Sequence, residues 1–137
     1  MKIVVIDGQG GRLGQLLCEA ISKEKIDCDL LAVGTNSIAT SAMIKAGAQK
    51  GATGENPVVV ACRDADVIIG PIGIVVADSL LGEITPKMAI AVGQSKAVKL
   101  LLPVSHCNNR VVGASSLSMS EMVVQTIADL KEVIKAY

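Results

Sequence analysis

A three-layer α/β fold, with helices on both faces of a mostly parallel sheet, is the class that three features of this sequence predict. Val- and Ile-rich runs at residues 2–7 and 67–70 are continuous rather than alternating, as strands buried on both faces require. Segments with apolar residues at helical spacing follow several of these runs, and glycines and one Asn-Pro pair punctuate the chain. The length, 137 residues, suits one domain over residues 1–137 with one core.

Taken in order, residues 2–7 read as a buried strand ending at a glycine turn. Leu13, Leu16, Leu17, Ala20 and Ile21 then recur at helical spacing, with Arg12, Gln15, Glu19 and Lys23 on the other side. Residues 28–33 read as a second strand ending at Gly34, after which Asn36 or Ser37 caps a small-residue helix running to residues 43–46. Asn56 and Pro57 form an expected N-cap and first-turn pair for a short helix to about Arg63. Residues 67–70 predict another strand, 75–81 an apolar helix, and 88–92 a further strand. Residues 99–104 and 110–112 read as strands flanking a polar loop at 105–109, which makes a late antiparallel hairpin. In the last segment Met119, Met122, Val123, Ile127, Leu130 and Ile134 form one helical stripe. Strands alternating with helices in this way predict a Rossmann-like three-layer sandwich.

Composition excludes several functions. Lys plus Arg and Asp plus Glu are each 13, for a formal net charge of +0, and no basic run gathers a nucleic-acid surface. The one aromatic residue, Tyr137, offers no stacking platform for single strands. Apolar runs fall short of the roughly 20 residues of a membrane span. Met1-Lys2 leads directly into the first strand without a cleavable signal pattern, so a cytoplasmic location is expected. Cys18, Cys28, Cys62 and Cys107 show no C-x-x-C spacing, and reduced, mostly buried thiols without a metal are expected.

The chemistry concentrates in Gly8-Gln9-Gly10-Gly11-Arg12-Leu13-Gly14, between an expected strand and an expected helix. A phosphate lies against a helix N-terminus where the backbone comes close, because a Cβ there fills its space. Free N–H groups and the helix dipole favour the anion. Gly14, in the first helical turn, permits close packing on the sheet.

This turn resembles the cofactor turn of dihydrodipicolinate reductases, which read approximately G-A-x-G-R-M-G after the first strand. The resemblance is confined to the turn and its flanks, and it implies NAD or NADP lying over Gly8, Gln9, Gly10, Gly11, Arg12, Leu13 and Gly14. It further implies that Gly70, Pro71, Ile72 and Gly73, and Gly93, Gln94 and Ser95, each after an expected strand, face the cofactor. The histidine- and lysine-rich catalytic segment and the substrate domain of that family are absent, so its reaction does not transfer. Over its whole length the chain resembles a short bacterial family that opens with a D-G-Q-G-G turn, a likeness that brings no activity.

The end of the second strand, where dinucleotide sites commonly place a carboxylate on the ribose, holds Thr35 and Asn36. Without that carboxylate the 2′-phosphorylated cofactor is favoured, and a mononucleotide or another phosphorylated small molecule stays open.

Other residues have structural explanations that compete with chemical ones. His106 beside Cys107 suggests an activated thiol, but neighbours on an extended segment point opposite ways. Asp7 stands at a ligand-binding strand end or bonds its own turn. Ser95 and Lys96 fit a phosphate or an ordinary cap. Ser115, Ser116, Ser118 and Ser120 suggest a second anion site, whereas Ser118 and Glu121 match a capping box.

The sequence therefore predicts a small nucleotide-binding protein. Its alternatives are a small NAD(P)-dependent oxidoreductase with a pocket completed by a dimer partner, and a regulatory or scaffold protein keeping the fold without the ligand. A homo-oligomer is expected through the apolar faces of helices 75–81 and 119–134.

Overall fold

The first strand, β1 (Lys2–Asp7), shows why the sheet needs two covers. Successive side chains of a strand point to opposite faces, so Ile3 and Val5 enter one core while Val4 and Ile6 enter the other. All four are fully buried. The computed structural model describes residues 1–104, 109–114 and 116–137. Within it, β2 (Asp29–Gly34), β3 (Lys50–Thr53), β4 (Val67–Pro71) and β5 (Val98–Leu102) complete a five-stranded sheet ordered β3-β2-β1-β4-β5. Every strand pair among the described residues is parallel.

Five helices supply the outer layers: α1 (Arg12–Lys23), α2 (Ser37–Lys45), α3 (Glu55–Ala61), α4 (Pro86–Gln94) and α5 (Met119–Lys135). Leu17 and Ile21 of α1, Met43 of α2 and Leu130 of α5 meet Ile3 and Val5 on one face. Val58 of α3 and Met88 and Val92 of α4 meet Val4 and Ile6 on the other. Capping follows the sequence at two ends. Asn36 accepts from the Ala39 N–H at 2.9 Å to open α2. Ser118 and Glu121 bond each other's backbone N–H groups to open α5.

Several expectations are corrected. The late antiparallel pair is not formed by the described residues: residues 110–112 carry no strand, and residues 105–108 of the polar loop, His106 and Cys107 among them, lie outside the described residues. Residues 88–92 are helical, with Met88, Ala89 and Val92 turned inward and Ile90 left 55% exposed. Thr85 caps this helix by accepting from the Met88 N–H at 3.2 Å, and Pro86 takes its first position.

Residues 75–81 are not a helix. A 3-10 turn over Ile72–Val75 leads into a strap in which Asp78, Leu80 and Leu81 all take left-handed backbone angles that break any α-helix. The strap is closed by Asp78 N–H donating to the Ile84 carbonyl at 2.7 Å. Asn56 is not a cap: α3 starts at Glu55, two residues earlier than expected, after Gly54, whose φ is 106°. Strand β3 had no sequence signal.

The apolar stripe of α5 is already covered by its own domain, with Val123, Ile127 and Leu130 buried against the sheet and α1. Neither helix expected to drive self-association therefore offers a free apolar face. Among the described residues no helix is long and apolar enough to cross a membrane.

Candidate functional site

All five strands end on one edge, and the strand order reverses between β1 and β4, the place where open α/β sheets form a crevice. The glycine turn leaves β1 at that point. Asp7, 6% exposed, ends the strand and folds the turn around its carboxylate. One oxygen accepts from Gly8 N–H at 2.8 Å and the other from Gly14 N–H at 2.7 Å. Asp7 thus serves its own turn, and burial pushes its carboxyl pKa up against the pull of these two amides.

Three of the four glycines are required by packing within the protein. A Cβ on Gly8 would stand 2.5 Å from Thr35 Oγ1 and 2.9 Å from Leu80 Cδ1. Gly11 has φ of 72°, and a Cβ there would lie 2.7 Å from the Ala39 Cα. At Gly14 it would meet Met43 Sδ at 2.5 Å and Asp7 Cβ at 2.9 Å, which is the close packing of α1 expected from the sequence. Gly10 differs, since a Cβ there would meet nothing within 4 Å.

What remains for a ligand is a set of amides. Gly8, Gln9, Gly11 and Gly14 N–H groups have protein acceptors, whereas those of Gly10, Arg12 and Leu13 have none among the described residues. These three belong to the turn and first positions of α1, the positive end of a 12-residue helix. They border a cavity of about 100 Å³, walled also by Pro71, Leu80, Val104 and Met119. A wider groove of about 610 Å³, with Ile72, Arg110 and Met122 in its lining, shares Val104 and Met119 with it. Open amides beside an open Gly10 fit a phosphate group.

Thr35 and Asn36 follow β2 beside the turn and are not among the residues that line the cavity. Asn36 Nδ2 donates to the Gln9 carbonyl at 2.8 Å and to Glu83 Oε2 at 2.9 Å, and Glu83 Oε1 accepts from Gln9 N–H at 2.6 Å. Thr35 Oγ1 is buried and has no hydrogen-bond partner among the described residues. The expectation that no carboxylate faces this end of β2 is therefore corrected: Glu83 supplies one from the strap. Nothing local to Glu83 signals this, because the contact spans 47 residues of sequence.

Gly70 and Pro71 end β4 on the same edge as the turn, and Pro71 and Ile72 enter the cavity and groove walls. Gly73 instead receives Ser79: the serine hydroxyl donates to its carbonyl. Gly93, Gln94 and Ser95 are on the opposite edge, because they end α4 and precede β5 rather than follow a strand. There Ser95 donates to the Cys62 carbonyl at 2.8 Å and accepts from Ala97 N–H, which is capping. His106, Cys107 and Ser115 lie outside the described residues. Cys18 and Cys62 are buried free thiols, pushed by burial up to about 12 and about 11.

The fold and this edge define an α/β protein of the Rossmann-like class with an amide-lined turn at its switch point. The chain belongs to the family described as a domain of unknown function, DUF3842, whose model matches residues 2–135. No curated protein matches it. Among solved structures, it is similar to a dodecameric FMN-dependent Ubix-like decarboxylase from Escherichia coli O157:H7. That likeness is 18% in sequence identity with a TM-score of 0.47, over 97% of this chain and 76% of the other.

Proposed function

We propose that this protein binds a nucleotide or another phosphorylated small molecule, with a phosphate on the N–H groups of Gly10, Arg12 and Leu13. The observation that carries the reading is that these three amides, at the positive end of α1, border a cavity and have no acceptor among the described residues. Arg12, exposed at the same rim, adds a full positive charge. Within this class the resemblance of the turn favours a nicotinamide dinucleotide, NAD or NADP, in a cytoplasmic protein. The adjoining groove of about 610 Å³ is of small-molecule size, which leaves space for the substrate of a small oxidoreductase.

The reading includes a homo-oligomer that uses the end of the 75–81 segment and residues after β5 rather than the buried stripe of α5. Leu81 and Val112, 96% and 98% exposed, belong to segments that leave the carboxyl ends of β4 and β5. A second copy that covers them also walls the groove.

Thermal shift against ATP, NAD, NADP, FMN and inorganic phosphate tests the binding. A ligand at 100 times its Kd stabilises the fold by about 2.7 kcal/mol, or roughly 8 °C in Tm for a chain of this size. An unmoved Tm with every one of these compounds would overturn the reading.

A further inference from the structure

We infer that Glu83 is the specificity-determining residue of the turn, selecting a ribonucleotide with a free 2′,3′-diol and rejecting one with a 2′-phosphate. The inference rests on the nucleotide reading above and adds the part of the ligand that the strap side chain would recognise.

The argument starts from where the carboxylate is fixed. Glu83 Oε1 is held by Gln9 N–H at 2.6 Å and Oε2 by Asn36 Nδ2 at 2.9 Å, so the group bridges the glycine turn and the end of β2. A sugar attached to a phosphate on the Gly10, Arg12 and Leu13 amides is carried toward that same strand end in open α/β sheets. Each carboxylate oxygen accepts about two hydrogen bonds, and each has one partner here, so one position on each remains. Two adjacent acceptors of this kind match the two hydroxyl donors of a cis-diol. The residue is only partly buried, and its neighbours Gln9 and Leu80 line the cavity beside the turn. Buried Thr35 Oγ1, beside Gly8, adds a polar atom that has no hydrogen-bond partner among the described residues.

The strap is built to put Glu83 there. Three non-glycine residues in left-handed conformation, Asp78, Leu80 and Leu81, turn the chain back so that Leu80 seals Gly8 and Glu83 follows onto Gln9. A 2′-phosphate brought to this point meets a fixed negative charge of the same sign.

Calorimetric titration of the intact protein with NAD, NADP, ADP and 2′-deoxy-ADP tests this, alongside Glu83→Gln. NAD is expected to bind at least about tenfold tighter than NADP, and ADP at least about tenfold tighter than 2′-deoxy-ADP. In Glu83→Gln both ratios collapse toward unity, chiefly through weaker binding of NAD and ADP. The wild-type ratios need no variant, so the test survives if Glu83→Gln fails to fold. Tight binding of all four compounds with ratios near one overturns the role of Glu83 and leaves the nucleotide reading standing. Absence of binding by all four overturns both.

Discussion

Gly14 N–H and the Asp7 carboxylate meet in a buried 2.7 Å hydrogen bond that ties the first turn of α1 to the end of β1. Burial raises the Asp7 pKa above its ordinary 3.8, the amides of Gly14 and Gly8 pull it back, and nearby Glu83 pushes it up again. The folded state therefore holds this proton more tightly than the unfolded one. The stability it contributes is full below pH 3.8 and lost as pH rises through the folded pKa. Relative to Asp7→Asn, the wild-type protein is expected to lose stability as pH rises above 3.8 and through the raised folded pKa, read as denaturant midpoints. Parallel curves for the two proteins would show that Asp7 titrates as it does in an unfolded chain.

Gly10 and Gly11 are adjacent yet should respond oppositely to a branched side chain. Gly11→Val forces a β-branched residue to a φ of 72° and against the Ala39 backbone, so a stability loss of roughly 2–4 kcal/mol is expected. Gly10→Val enters open space and should keep the wild-type Tm while weakening nucleotide binding at least about tenfold. Unchanged affinity in a folded Gly10→Val protein would remove the turn as the phosphate site.

Thiol labelling separates the cysteines. Cys18 and Cys62, buried and with pKa values near 12 and 11, should resist iodoacetamide at about pH 8 in the native protein and react once unfolded. Mass mapping of the modified peptides checks this. Rapid native labelling of Cys62 would mean that the contact between α3 and α4 opens.

Light scattering at micromolar concentration tests self-association. The expected mass is at least twice 14.1 kDa, lowered by Leu81→Asp or Val112→Asp. A wild-type mass of 14.1 kDa would end the shared-groove version of the proposal.

Much of the fold is legible because it rests on local rules. Continuous Val and Ile runs mark β1 and β4, Asn36 marks the start of α2, and Ser118 with Glu121 marks α5. The strand expected at 88–92 fails because five apolar residues fit either period, although Thr85-Pro86 was an available helix start. Strand β3 escapes notice because Lys50, Gly51, Ala52 and Thr53 have little preference for a strand and follow β2 alone. At the site, the turn and the close packing at Gly14 are legible but the reason for Gly8 and Gly11 is not. Gly8 and Gly11 answer to Thr35 and Ala39, contacts that only the folded chain creates. Glu83 is invisible for the same reason, since its path depends on left-handed residues that no propensity suggests.

The strand order β3-β2-β1-β4-β5 also sets a timetable for biosynthesis. β1 gains β2 soon after it is made, but its other neighbour, β4, emerges only after α2, β3 and α3. During that interval Val4 and Ile6 have no finished layer to enter, and one hydrogen-bonding edge of a strand with the apolar run Ile3-Val4-Val5-Ile6 is open. Such delayed parallel pairing slows folding and exposes a sticky edge. A nascent chain stalled before Val67 is therefore the form of this protein most in need of a chaperone.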